Sequence, residues 1–343
     1  MTTTRLLLQS ILCYWRTNLA VLLGVIAGTA VIGGALIVGD SVRGSLRQMT
    51  EERLGKIDHV LNSPRFFRQE LAGELAAHPE FAKQFDTVAP ALVMTGALEY
   101  QKESDAGDEA ESALILRAGK VSIFGVEETL WDMTDHGEVP RPEDGEIILS
   151  RRLADQLQKK DSDGNVQTDK NGKPLGVEVG ETVSVWVEVP SSIPRDSLLG
   201  KRDETSREIT LTVKAILDDA LGVGRLNLNP NQQLPMNAFM SLDTLQRALD
   251  LNQTRDRKTR TVTPARVNTL FVAAKSKADR EGDKAPAAAN RLTHLLTERW
   301  TLADLELRVA ANEKRQYLSL ESEQQILSVE FAAAGRRTAE RLD

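Results

Sequence analysis

Residues 19–38 read LAVLLGVIAGTAVIGGALIV, a stretch without a single charged side chain. Its length matches the roughly 20 residues that an α-helix needs to cross about 30 Å of hydrocarbon. The rest of the chain mixes polar and apolar residues throughout. The stretch therefore predicts one membrane-spanning helix near the amino terminus, with residues 39–343 on one side of the membrane.

The alternative to an anchor is a cleaved signal. A secretory signal has an apolar core of about 7–15 residues and a small-x-small cleavage site. The present run is longer, and Val38–Arg43 offers no such site. Arg5 and Arg16 precede the run, and mixed charges follow it, so the excess of basic residues favours a cytoplasmic amino terminus and an extracytoplasmic body.

Composition excludes several classes of function. The only cysteine, Cys13, precedes the span, so the body has neither a disulfide framework nor a thiolate metal site. A net charge of -7 argues against a nucleic-acid partner. A P-loop and an H-E-x-x-H pair are both missing. We therefore predict no catalytic, cofactor-binding or metal-binding residues, and no cofactor.

Small residues recur at four-residue spacing inside the span, at Ala20, Gly24 and Gly28. This spacing places them on one stripe of a helix, where another helix can approach closely. Glycine is also simply frequent in membrane helices, so an unpacked anchor is the alternative. We favour a packing face, which implies partner helices supplied by another chain.

Periodicity along the chain predicts an α+β architecture. Residues 1–18 are expected to form a cytoplasmic amphipathic helix, and residues 39–56 a helical stalk that Gly39–Ser41 could interrupt. Residues 57–343 alternate strand and helix patterns without a regular β-α-β rhythm, which favours a mixed body of two subdomains. The length of this body also suggests two cores. Strands are predicted, among others, at 57–61, 88–100, 121–126, 146–149, 182–189 and 209–217, the last two as a pair. Helices are predicted over 66–77 and from an amino-terminal cap at Ser150 to about residue 158.

Two motifs suggest chemistry but fit it poorly. Gly39-Asp40-Ser41 after an apolar run is similar to the first block of GDSL-type hydrolases, yet no histidine follows an aspartate by three residues to activate the serine. Asp161 opens a stretch that hints at a calcium loop, but position six of the loop is not glycine and position twelve is Gly172. A solvated insertion is the better interpretation there.

The chain resembles a known family in three places. Residues 5–58 resemble the start of ABC-transporter permeases of the FtsX/MacB type. They read RLLLQSILCYWRTNLAVLLGVIAGTAVIGGALIVGDSVRGSLRQMTEERLGKID. Residues 185–217 (VWVEVPSSIPRDSLLGKRDETSREITLTVKAIL) and 224–249 (GRLNLNPNQQLPMNAFMSLDTLQRAL) resemble the MacB-like periplasmic core domain of such permeases.

The resemblance implies a location and partners. Residues 57–343 would be an extracytoplasmic domain inserted between the first and second of four membrane helices of a bacterial inner-membrane permease. An ABC ATP-binding subunit on the cytoplasmic side, membrane lipid and a second permease copy would be its partners. ATP-driven closure would reach the outer domain through the helices, by mechanotransmission.

The sequence departs from that pattern at its carboxyl end. No second hydrophobic run follows residue 38, and residues from 323 onward are expected to be helical up to Asp343. The sequence is then a fragment, a split gene product, or a chain whose remaining permease helices come from a partner. A stand-alone anchored binding or scaffold protein is the alternative function, and an anchored hydrolase that uses Ser41 is a third.

Overall fold

A computed structural model describes most of the chain, in two compact units. The described residues are 13–102, 114–134, 139–161, 163, 165–168, 172–188, 206–218, 222–228, 233–255, 262–275, 285–312, 315–322, 327 and 329–342. The units are Met1–Glu52 and Arg53–Asp343. The amphipathic helix predicted over 1–18 falls largely on residues 1–12, outside the described part.

The first helix, α1, spans Trp15–Leu54 as 40 continuous residues. It contains the predicted span and continues through Gly39–Ser41, so the interruption considered there does not occur. Glycine costs only about 1 kcal/mol relative to alanine inside a helix, which is too little to end the helix by itself. Arg47 and Glu51, one turn apart, add an ion pair at 2.7 Å. The next residue, Gly55, has a φ of 61°, which suits the end of a helix.

The part of α1 that corresponds to the span buries nothing. Its apolar side chains are exposed, among them Leu36 at 69% and Ile37 at 72%. Among the described residues, α1 is the one helix long and apolar enough to cross a membrane, judged by length and composition. A continuous apolar surface of this size is what a helix in lipid requires, since its backbone groups are already bonded within the helix.

The second unit alternates strands with short helices. Its strands are β1 (His59–Arg68), β2 (Phe85–Lys102), β3 (Leu114–Val126), β4 (Glu146–Ser150), β5 (Thr182–Glu188), β6 (Ser206–Leu217), β7 (Asn237–Ser241), β8 (Thr254–Arg255), β9 (Val262–Thr263), β10 (Arg266–Ala274), β11 (Leu307–Asn312) and β12 (Tyr317–Ser322). Its helices are α2 (Glu70–Ala76), α3 (Phe81–Gln84), α4 (Glu128–Met133), α5 (Arg151–Gln156), α6 (Leu242–Ala248), α7 (Ala285–Arg299) and α8 (Val329–Leu342). The α+β class predicted from periodicity is confirmed.

Eight of the described strands form one sheet in the order β1-β10-β2-β3-β7-β4-β6-β5. Most neighbours are antiparallel, but β3 with β7 and β4 with β6 are parallel. The long strand β2 pairs with β10 through its first half and with β5 through residues 96–100. Strands β2, β3, β7, β4, β6 and β5 therefore close into a ring, and β10 and β1 extend the sheet beyond it.

The strands contribute alternate residues to two hydrophobic cores, one on each face of the sheet. On β7, Ala238 and Met240 belong to the larger core, whereas Phe239 between them belongs to the smaller. Helices α2, α5, α6 and α7 complete the larger core, and α4 with the 3₁₀ turn Gly222–Arg225 completes the smaller. Each fully buried Leu or Phe stabilises the fold by about 1.5–3 kcal/mol.

The two cores do not divide the body in the way its length suggested. We expected two subdomains, but the two cores share the strands of one sheet, and Arg53–Asp343 is one compact unit. The physical reason is the two-residue period of a strand, which sends neighbouring side chains to opposite faces. A single sheet covered on both faces thus buries two cores.

Local boundaries follow the sequence patterns with a few shifts. Ser150 caps α5 as predicted, its hydroxyl oxygen accepting a hydrogen bond from the Leu153 amide at 3.4 Å. The predicted pairing of β5 with β6 is confirmed. The first strand runs on to Arg68, where a helix was expected from Phe66, and α4 was not predicted. The helix expected from Glu323 onward is described as Val329–Leu342.

A buried ion pair ties the end of β1 to the 3₁₀ turn Leu302–Leu305. The Asp304 carboxylate is fully buried and accepts from Arg68 Nε at 2.9 Å and Nη2 at 3.0 Å. It also accepts from the Thr301 amide at 2.9 Å. These bonds satisfy a carboxylate that burial would otherwise destabilise, and they join residues 236 positions apart.

Candidate functional site

The three residues predicted to pack in the membrane lie on one face of α1. Ala20, Gly24 and Gly28 follow one another every four residues, an arc of about 40° per step at 100° per residue. All three are exposed, and a side chain added at Gly24 or Gly28 would meet no heavy atom within 4 Å among the described residues. The face is open, and its packing against another helix stays a prediction.

A polar residue within the span is satisfied by the helix itself. The Thr29 hydroxyl donates to the carbonyl oxygens of Val25 and Ile26, at 2.8 and 3.1 Å. A hydroxyl bonded in this way can face hydrocarbon without an unmet donor. Thr29 therefore does not require a polar partner helix.

The structure removes the basis for a hydrolase site at Ser41. Ser41 lies inside the continuous helix α1, whereas a serine nucleophile of the GDSL type follows a strand. Asp161, at the start of the calcium-like stretch, accepts hydrogen bonds from the amides of Asp163 and Asn165 at 3.0 and 2.8 Å. Its carboxylate thus closes a local turn. In the part of the chain that the structure describes, no cluster of three His, Cys, Asp or Glu residues could hold a metal.

The body contains a cavity of about 430 Å³ between α2, the start of β2 and the segment that joins α6 to β10. Helix α2 presents one face to it, because Gln69, Ala72, Gly73 and Ala76 recur at helical spacing. The remaining wall comes from the two neighbouring segments and from the residue after β3. These residues are Val88, Pro90, Glu127, Gln253 and Ala265, and Glu70 at the start of α2 also lines the cavity.

A chain of side-chain hydrogen bonds fixes the polar end of this cavity. Gln246 on α6 donates from Nε2 to the Gln69 side-chain oxygen at 2.7 Å and to the Arg266 carbonyl at 3.0 Å. Gln69 in turn donates from Nε2 to Glu127 Oε1 at 2.5 Å. The backbone N–H of Gln69 also donates a hydrogen bond to the Ala265 carbonyl oxygen at 2.8 Å. Three separate segments therefore hold the Glu127 carboxylate in place.

Glu127 is the chemically most distinctive residue of the cavity. It is half-buried in an extended conformation between β3 and α4. Burial raises the pKa of this carboxyl above its usual value, and the hydrogen bond from Gln69 opposes part of that rise. This carboxylate is hydrogen-bonded to a side-chain amide and lies at the end of a partly apolar cavity. It can therefore bind a cation or accept a hydrogen bond from a ligand.

The sequence did not point to this site. Glu127 and Glu128 follow a predicted strand without any spacing that marks a functional group, and Gln69 appeared to be a helix residue. Gln246 lies 177 positions beyond Gln69. Only the packing of α2 and α6 against the same end of the sheet brings the three side chains together.

A second, smaller recess lies beside β2, β3 and β5. It measures about 310 Å³ and is lined by Ala97, Leu98, Glu99, Arg117 and Trp186. Arg117 on β3 and Glu99 on β2 form an ion pair, with 2.6 Å between Arg117 Nε and Glu99 Oε2. The recess therefore offers an indole surface beside a satisfied ion pair.

Comparisons with known proteins add little to these observations. No protein-family model matches the chain, and no curated protein matches it. It is similar to a crystal structure of a domain of a protein described as a permease from Porphyromonas gingivalis, at 10% identity and a TM-score of 0.31. The match covers 81% of this chain and 95% of the other. A likeness this distant indicates neither a shared fold nor a shared activity.

Proposed function

We propose that this chain is the amino-terminal portion of an ABC-transporter permease of the FtsX/MacB type. The observation that carries the proposal is the helix α1, whose apolar section bears an open face of small residues at Ala20, Gly24 and Gly28. Such a face serves helix association in a membrane. The α+β body that follows, and the family resemblance of residues 5–58, support the same assignment.

In this proposal the chain performs no chemistry. A separate ATP-binding subunit hydrolyses ATP on the cytoplasmic side, and the remaining permease helices or a second permease copy pack against α1. The body lies outside the bacterial inner membrane, where it handles the transported substrate. A continuous helix resists bending and compression, so α1 would transmit a displacement of its membrane section to Leu54.

Purification from native membranes tests the partners. The tagged full chain, solubilised in a mild maltoside detergent, should retain an ATP-binding subunit and a second membrane polypeptide. The double variant Gly24→Leu/Gly28→Leu, which should disrupt the small-residue packing face, serves as the matched control and should lose these partners. Recovery of the wild-type chain alone, together with unchanged export after its deletion, would contradict the proposal.

Labelling of the native cysteine tests the orientation. Cys13 is the only cysteine and is exposed. In intact spheroplasts it should resist a membrane-impermeant maleimide, whereas Ser184→Cys in a Cys13→Ser background should react. Lysis of the spheroplasts should make Cys13 reactive and so control for access. Labelling of Cys13 before lysis would place the amino terminus outside.

Transmission along α1 can be tested by two insertions after Gly44. Gly-Pro-Gly-Gly interrupts the helix, whereas four alanines lengthen it by about one turn and nearly keep its phase. In the purified complex, an ATP-dependent distance change between spin labels in the body should disappear with the first insertion and persist with the second. Equal effects of the two insertions would argue against transmission through the helix.

The alternative function is a stand-alone anchored binding or scaffold protein. The observation in its favour is the cavity beside α2, because a ligand could bind there without any partner chain. This alternative predicts that the chain purifies without an ATP-binding subunit and that α1 serves only as an anchor. The purification experiment separates the two functions.

A further inference from the structure

The described wall of the cavity beside α2 carries two acidic side chains. These are Glu70 and Glu127, and none of the lining residues that the structure describes is basic. Among the described residues, the hydrogen bond that Glu127 makes is to an uncharged amide. A half-buried carboxylate without a basic neighbour attracts a cation more strongly than an exposed one, since less water screens it.

Most of the cavity wall is apolar. It consists of Ala72, Gly73, Ala76, Val88, Pro90 and Ala265. A divalent metal would need about six oxygen ligands, which this wall does not supply. An organic cation suits it better, because its charged group can lie on Glu127 while its carbon skeleton covers the apolar wall.

We propose that the cavity between α2, β2 and the α6–β10 segment binds an organic ammonium or guanidinium group attached to an apolar body. The charged group contacts the Glu127 carboxylate, which the Gln246–Gln69 hydrogen bonds hold in position. The Gln253 side chain lines the same cavity and can accept a further hydrogen bond. This inference goes beyond the proposed function and does not rest on it.

The same chemistry can come from a free amine or from a lysine side chain of a peptide. Both place one ammonium group at the end of a carbon chain, so the cavity alone does not separate them. Benzylamine represents the free amine, with benzyl alcohol as its neutral match. Acetyl-Leu-Lys-Ala-amide represents the peptide, with norleucine in place of lysine as its neutral match.

Calorimetric titration of the full chain in maltoside micelles tests the site. We expect saturable binding of at least one cationic probe and none of its neutral match. Glu127→Gln should weaken this binding about tenfold or more, because it removes the charge while its amide oxygen can still accept from Gln69. The matched control is Glu128→Gln, which alters the adjacent, exposed carboxylate outside the cavity.

A steric variant keeps the proposal testable if Glu127→Gln disturbs folding. A Cβ atom at Gly73 would meet no described atom within 4 Å outside the backbone of its own helix. The backbone therefore accepts a side chain there, and Gly73→Leu should fill the cavity. It should abolish binding of the cationic probe with an unchanged melting temperature.

Each outcome decides the proposal. Binding of the peptide alone identifies a peptide as the source of the cation, and binding of benzylamine alone identifies a free amine. The proposal is overturned if neither cationic probe binds, if a neutral match binds equally well, or if binding survives either Gly73→Leu or Glu127→Gln.

Discussion

Gly96 lies where β2 exchanges one neighbour for another. The register of β2 with β3 shifts between Gly96 and Ala97, and the pairing with β5 begins at Gly96. A Cβ atom at this position would lie 2.2 Å from the Trp186 carbonyl oxygen and 2.5 Å from Ile123 Cδ1. Glycine is therefore required by the close approach of two strands, and the closure of the ring depends on it.

We predict that Gly96→Ala destabilises the body by about 2–3 kcal/mol, because the carbonyl it meets belongs to the backbone and cannot move aside. Urea unfolding followed by circular dichroism measures the change. The matched control is Gly119→Ala on β3, where a Cβ atom meets nothing within 4 Å. We expect the control to stay within about 0.5 kcal/mol of the wild type. Equal stabilities of the two variants would show that β2 and β5 do not approach closely.

Asp304 also contributes to the stability of the body, through its buried ion pair with Arg68. Burial acts to raise the pKa of this carboxyl, but hydrogen bonds from Arg68 and Thr301 outweigh it and hold the pKa below its usual value. A carboxyl with a lowered pKa in the folded state stabilises the fold above its unfolded-state pKa of about 3.9. That contribution is lost as the pH falls through the lower, folded-state pKa.

We predict that Asp304→Asn costs about 3 kcal/mol of unfolding free energy near neutral pH, since Arg68 loses its buried partner. The difference from the wild type should remain constant down to about pH 4 and shrink at lower pH. Urea titrations at a series of pH values measure it. Glu321→Gln, which alters an exposed ion pair with Arg308, is the control and should change little. A pH-independent difference would mean that the charge of Asp304 does not matter.

At the scale of the element, α1 combines a membrane span and a stalk in one helix. Residues beyond the span are held helical by ordinary propensity and by pairs such as Arg47 with Glu51. A Cβ atom added at Gly24 or Gly28 would meet no described atom within 4 Å outside the backbone of α1. A substitution there reports on a partner helix and not on the fold of this chain.

We predict that Gly24→Leu/Gly28→Leu lowers the recovery of a co-purified membrane partner about tenfold, because leucine keeps the helices apart. Quantitative mass spectrometry of the purified complex measures it. Gly33→Leu is the matched control, since nine residues at 100° each place it on the opposite side of α1 from Gly24. A loss caused equally by the control would show that Ala20, Gly24 and Gly28 are not a packing face.

At the scale of the whole body, one sheet supports both cores. Met240 packs on one face of β7 and Phe239 on the other, so the strand cannot unfold on one side alone. Trp131 packs in the smaller core, and Trp300 packs against the larger one. Each indole therefore reports on a different face.

We predict a single unfolding transition for the body in the full chain. Two variants, each keeping either Trp131 or Trp300 and carrying phenylalanine at the other three tryptophans, should show the same urea midpoint by fluorescence. The shared strands are the reason, because they couple the two faces. Midpoints that differ beyond error would indicate two independently folding parts, as the length of the chain had suggested.

The candidate cavity shows where prediction from the sequence ends. The β5–β6 pair, the Ser150 cap and the span were predicted because each depends on residues close together in the chain. Glu127, Gln69 and Gln246 carry no local pattern, and their hydrogen bonds depend on how α2 and α6 pack on the sheet. The same holds for Arg68 with Asp304.

The sequence by itself determined the apolar helix and its small-residue stripe, the α+β class and most strand positions, since these follow from composition and from periods of a few residues. Only the tertiary structure decided that β2 closes a ring with β5, that one sheet bears both cores, and that an acidic cavity forms beside α2. The physical reason is that these features arise from contacts between distant segments. Close packing selects such contacts from many that local patterns allow.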